Sequence, residues 1–168
     1  QTLSGNFAFD QRTAADGSKV TRIGVSEVEV DVEFGGDGAT LTDGEGGFVI
    51  TTAGVAGVIS GQVDASLGPI EGGGNVILRI NTTGGAVDET IEVGGRSIVI
   101  RFNDAEGNVF AVSISDLSLT IANFITIEGD VSFVTAGNRS TFAGENLDIF
   151  LGNGPALLEG GEINPLAT

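Results

Sequence analysis

The stretch Val25–Phe34, VSEVEVDVEF, decides how the chain is read. Val28, Val30, Val32 and Phe34 alternate with Glu27, Glu29, Asp31 and Glu33, the period of a strand with one dry and one wet face. The same design returns as VSISDLSLTI at Val112–Ile121 and as FAGENLDIFL at Phe142–Leu151. A β unit is therefore used more than once. Each copy also slips its apolar phase by one residue. Ile23 and Val25 occupy odd positions while Val28, Val30 and Val32 occupy even ones; Val112 and Ile114 give way to Leu117, Leu119 and Ile121, and Phe142 to Leu147, Ile149 and Leu151. A period of two cannot skip a residue without a bulge or break, so bulges are predicted at Ser26-Glu27, Ser115-Asp116 and Glu145-Asn146.

A second motif, apolar-x-Gly-x-apolar, recurs in TLSGNFAF at Thr2–Phe9, ISGQVDA at Ile59–Ala65 and IEGDVSF at Ile127–Phe133. Glycine inside a strand marks a bend or a close backbone approach. Asp16-Gly17 predicts a hairpin between the first two strands, with the shorter run TAGN, Thr135–Asn138, as its counterpart in the last copy. Gly35–Gly47 reads as a glycine-dense loop whose partner is Gly152–Glu162, with Asn153 matching Asp37, Leu157 matching Leu41 and Glu159 matching Asp43. In the middle, Phe48–Gly57, Val76–Asn81, Val87–Val93, Arg96–Phe102 and Val109–Ile121 read as strands. A Gly-rich break is expected at Gly68–Gly74, and Ala53–Val58 is the one place that admits a helical turn.

The expected fold is thus all-β: an elongated, mainly antiparallel sandwich or sheet built from internal repeats with bulged long strands. The expected organisation is one full unit over 1–125 and a partial next unit over 126–168, within what could be a single structural domain.

The chain has 168 residues, 28 of them Gly, with no Cys, His, Trp, Tyr or Met, so Phe, Val, Ile and Leu supply the core. A net charge of −16 with seven basic residues argues against nucleic acid, whose phosphates need a basic surface, and against anionic membranes. No apolar run reaches the roughly 18–20 residues of a membrane span. Without His or Cys, triads and the usual zinc ligand sets are excluded. Nothing singles out two carboxylates for glycan hydrolysis, so no enzyme is expected. The start at Gln1 rather than Met suggests a piece trimmed or excised from something longer.

Two stretches carry enough oxygen for calcium, which takes six to eight such ligands: Asp37, Asp43 and Glu45, and Asn103, Asp104, Glu106 and Asn108. Solvated turns are the simpler reading of each taken alone, since Asp, Asn and Gly favour turns. The row Glu27, Glu29, Asp31, Glu33 reads either as a guard against edge-to-edge aggregation or as a docking surface for a cationic partner. Asn81-Thr82-Thr83 and Asn138-Arg139-Ser140 match the N-glycosylation sequon.

The phrases TLSGNFAFDQ, GVSEVEV, ATLTDGEGGFVITTAGVAGVISGQV and INTTGGAVDETIEVGG resemble the tandem modules of giant bacterial extracellular and surface proteins, over most of Gln1 to about Gly95. The tail GGEINPLAT departs from that pattern. The resemblance implies a secreted, repetitive context at the cell surface, structural or adhesive and often calcium-rich. The expected partners are copies of the chain or neighbouring repeats, joined by edge completion. Leu3, Phe7 and Phe9, or Ile127, Val131 and Phe133, would form the contact, with Gln1–Phe9 or Thr126–Phe133 as the donated strand. The alternative is a glycan- or surface-binding module of an adhesin, using the loops Asn81–Gly85 and Asn103–Asn108.

Overall fold

The computed structural model describes residues 1–14, 17–152, 162 and 165. Ten strands follow one another: β1 (Thr2–Thr13), β2 (Lys19–Phe34), β3 (Asp37–Ile50), β4 (Val55–Leu67), β5 (Ile70–Asn81), β6 (Val87–Val93), β7 (Arg96–Phe102), β8 (Val109–Ile121), β9 (Ile125–Ala136) and β10 (Arg139–Leu151). Eight of them form one sheet in the order β1-β2-β3-β4-β5-β8-β9-β10, and β6-β7 form a separate hairpin. Every pairing is antiparallel. The fold is all-β, and Ile125–Ala136 and Arg139–Leu151 continue the same sheet.

The three predicted bulges are present. Register shifts fall between Val25 and Val28, between Ile114 and Leu117, and between Glu145 and Asp148. Glu27, Asp116 and Asn146 take φ of 51–53° there, the left-handed conformation that lets a bulged strand turn its next side chain over. A fourth bulge, at Asp43 (φ 52°) with a shift between Thr42 and Glu45, lies on β3. The four form a line across the sheet, dividing it into an upper half, towards the β1–β2 turn, and a lower half.

Three expectations need correction. Gly35–Gly47 is not a loop: only Gly35 and Gly36 turn, and β3 runs from Asp37. Gly68–Gly74 is not a break, because the turn is confined to Gly68-Pro69 and Gly72–Gly74 lie in β5. A Cβ on Gly72 would stand 2.9 Å from the Ser118 carbonyl and one on Gly74 2.8 Å from Ile114, so this strand is glycine because its neighbours fill the space. Ala53–Val58 holds no helix; residues 51–54 turn and β4 begins at Val55. Among the described residues the one short helix is a 3-10 turn at Asp104–Glu106. The β1–β2 hairpin is formed, with Ala14 donating to the Ser18 carbonyl. Asp16 lies outside the described residues, as do Asn153, Leu157 and Glu159.

The buried core lies between the upper half of the sheet and the β6-β7 hairpin. Ile91, Val93, Ile98, Ile100 and Phe102 point down from the hairpin onto Val20, Val49 and Ala56. Gly24 and Gly47 admit the hairpin, since a Cβ on either would meet Ile91 at 2.7 and 3.1 Å. Each fully buried aliphatic or aromatic side chain contributes about 1.5–3 kcal/mol, and this cluster holds the hairpin down. Its tip, Gly94-Gly95, has the two positive φ values of a tight I′ turn (58° and 79°). A polar clasp fastens it at the bulge line: Ser26 Oγ donates to the Val93 carbonyl, Asn6 Nδ2 donates to Glu27, and Arg96 pairs with Glu45 at 3.2 Å and Glu27 at 3.6 Å.

Candidate interaction surface

Strand alternation gives the sheet two unlike faces. One carries the hairpin on its upper half and polar side chains on its lower half. There Asp31, Glu33, Thr40, Asp64, Glu71, Asp116, Ser118 and Thr120 line a trough of about 680 Å³. All seven basic residues, Arg12, Lys19, Arg22, Arg79, Arg96, Arg101 and Arg139, stand on the upper half, on the hairpin or at the bulge line. On this face the lower half therefore holds carboxylates and no basic residue.

The upper cations are largely engaged. Arg12 and Arg22 converge on Glu89, Arg22 also pairs with Asp10 across the β1–β2 ladder, and Arg101 pairs with Asp88 at 3.1 Å. The hydrogen bond that Arg22 donates to Asp10, assisted by Glu89, raises the Arg22 pKa above its ordinary value. Arg79 stacks on Phe102 at 4.8 Å and pairs with Glu106 at 3.1 Å.

The opposite face bears no hairpin and is apolar from edge to edge. Leu3, Phe7 and Phe9 of β1, Val25, Val28 and Val30 of β2, Leu78 of β5, Leu117 and Leu119 of β8, Ile127 and Phe133 of β9, and Phe142 and Ile149 of β10 share it, as their register and alternation require. With eight strands about 4.8 Å apart and about 12 residues long, it spans on the order of 1,500 Å². Gly72 and Gly74 leave a depression of about 200 Å³ in it, walled by Val63, Ala65, Ile114, Leu117 and Leu119.

Exposure concentrates at the two sheet edges. Among the described residues the five most exposed large apolar side chains are Phe9 (72%), Phe142 (69%), Leu3 (65%), Ile149 (64%) and Phe7 (59%), and all belong to β1 or β10. Each of these strands has a neighbour on one side only among the described residues.

The six apolar residues expected at an interface therefore divide. Leu3, Phe7 and Phe9 do stand on an open edge. Ile127, Val131 and Phe133 share the same face but sit in β9, hydrogen-bonded to β8 and β10, so Thr126–Phe133 is corrected from edge strand to interior strand. The edge at that end is β10. Its Phe142, Leu147 and Ile149 belong to the repeated alternation, whereas the glycine motif marks β9, the strand before the edge.

The expected calcium ligands are spread apart or turned to local work. Asp37 opens β3 and accepts from the Gly68 N–H at 2.7 Å, Asp43 occupies the fourth bulge and Glu45 pairs with Arg96. Asn103 caps the 3-10 turn by accepting from Ala105 N–H, Glu106 accepts from the Asn103 N–H, and Asp104 accepts from the Ala86 N–H. Asn108 precedes β8, its carbonyl accepting from Gly137. Among the described residues no three acidic side chains gather in a metal-binding arrangement, and no helix is long and apolar enough to cross a membrane. Of the glycan-loop candidates, Asn81 is buried, donating to the Gly85 carbonyl and accepting from Thr83.

In comparisons with known proteins the chain matches no family model, no curated protein and no solved structure.

Proposed function

We propose that the chain is a structural building block of an extracellular fibre, sheath or surface layer, assembled through the edges of its sheet. The observation that carries this reading is the concentration of exposed apolar side chains on the two edge strands. An edge presents unpaired backbone donors and acceptors, and proteins that stay separate blunt such edges with charge, proline or a covering loop. β1 and β10 instead offer Leu3, Phe7 and Phe9, and Phe142 and Ile149, to whatever strand arrives. The two edges lie at opposite ends of the sheet, so an association between unlike edges is head-to-tail, the kind that builds an open filament when the rotation between copies does not close a ring. Calcium enters this reading as a counter-ion to the acidic lower half.

Electron microscopy and light scattering of the purified chain, with Ca²⁺ and with a chelator, test the proposal. Fibres or extended sheets are expected, favoured by Ca²⁺. A chain that stays strictly monomeric at high concentration in both conditions rules it out.

A further inference from the structure

β9 is a second β1. Ile127–Phe133 repeats Leu3–Phe9 around an in-strand glycine, and Gly129 and Gly5 share an unusual backbone conformation, φ +133° and +139°. Their onward pairings match as well. Phe133, Val131 and Ile127 face Phe142, Gly144 and Ile149 of β10, just as Phe9, Phe7 and Leu3 face Ile23, Val25 and Val30 of β2. One difference remains. β9 has a neighbour on its other side, β8, in the place where β1 has an open edge among the described residues.

The β8–β9 junction therefore displays what a β1-type strand accepts there. Its register is Val112↔Phe133, Ile114↔Val131, Leu117↔Gly129 and Leu119↔Ile127, with the Asp116 bulge lying against the glycine. The flank matters: Phe133, with neighbours on both sides, is 40% exposed, whereas Phe9, with one, is 72%.

Resting on the building-block reading, we propose that the open edge of β1 is the docking site for a β8-type strand of another unit of the same repeat. The strand binds antiparallel, its Val112 position opposite Phe9, Ile114 opposite Phe7, Leu117 opposite Gly5 and Leu119 opposite Leu3. The β8 of an intact copy is already bonded to β5 and β9, so the donor is a unit whose sheet ends at β8. The junction between units is then the β8–β9 joint already built into this chain, and a row of units forms one uninterrupted antiparallel sheet.

A synthetic peptide of residues 109–121 is the probe, offered to the full chain under mild oxidation. The chain has no cysteine, so the introduced thiols are the only ones that can react. The Phe9→Cys chain should form a mixed disulfide with the Val112→Cys peptide and little with the Ile114→Cys peptide, whose thiol sits one diagonal step, roughly 7–8 Å, away. The preference should reverse for the Phe7→Cys chain. Absence of crosslinking in all four combinations, or yields that do not follow this pairing, overturns the inference. A chain that captures the peptide in register but never forms fibres keeps the docking site and loses the proposed function; fibres without capture do the opposite.

Discussion

Gly129 shows how one residue sets the sheet. Its φ of +133° lies where side chains are strongly disfavoured, and an added Cβ would stand 2.5 Å from the Asn146 carbonyl at the β10 bulge. Gly68 also has a positive φ, +61°, but an added Cβ there meets nothing within 4 Å. Gly68→Ala should cost about 1 kcal/mol, the ordinary penalty for a left-handed non-glycine residue. Gly129→Ala should cost about 3 kcal/mol or more, because backbone strain and a backbone clash combine. Urea unfolding of the two variants checks the ranking, and equal losses would mean that the glycine and the bulge beside it are not coupled. Glycine also explains what the sequence hid. The bulges at Glu27, Asp116 and Asn146 could be read from a slip in apolar phase. The one at Asp43 could not, because Gly44, Gly46 and Gly47 leave no side chains to record a slip.

At the scale of elements, the β6-β7 hairpin is the layer that covers the sheet among the described residues. Its alternation was plain in VDETIEV and RSIVIRF, but nothing in those strings told which sheet face it would cover. That choice is made by Gly24 and Gly47, whose missing side chains leave room for Ile91 and Ile100. Ile100 is fully buried at the centre of this contact. Ile100→Ala should therefore destabilise the fold by about 2–4 kcal/mol, the range for emptying a buried aliphatic site. Arg96→Gln at the exposed tip removes ion pairs to Glu27 and Glu45 whose partners remain solvated, and should cost below about 1 kcal/mol. Hydrogen exchange of the β6-β7 amides reads both: strong loss of protection in the first variant and little change in the second. The opposite ranking would mean that the polar clasp, not the apolar contact, holds the hairpin. The residues expected as metal ligands have local work at this same scale. Asn, Asp and Glu clustered in sequence at 103–108 because a capped 3-10 turn needs them to satisfy its own backbone.

For the whole molecule, charge and apolar surface oppose each other. The net charge of −16 and a lower half without basic residues make copies repel, while on the proposed reading the apolar face and the two edges draw them together. If association runs through those apolar edges, added salt should strengthen it, because screening removes the repulsion and leaves the apolar and backbone contacts intact. Raising NaCl from about 0.01 M to about 0.15 M shortens the Debye length from about 30 to about 8 Å, and the mean mass seen by light scattering should rise across that range. Association that weakens with salt would instead point to complementary charges, such as the trough meeting the arginines of the upper half. Comparing CaCl₂ with NaCl at matched ionic strength then separates the two roles open to calcium. An equal response means screening alone. A larger response to calcium means that carboxylates from adjoining copies complete a site that a single chain does not gather, since its own acids on alternate positions of a strand stand roughly 6.6 Å apart.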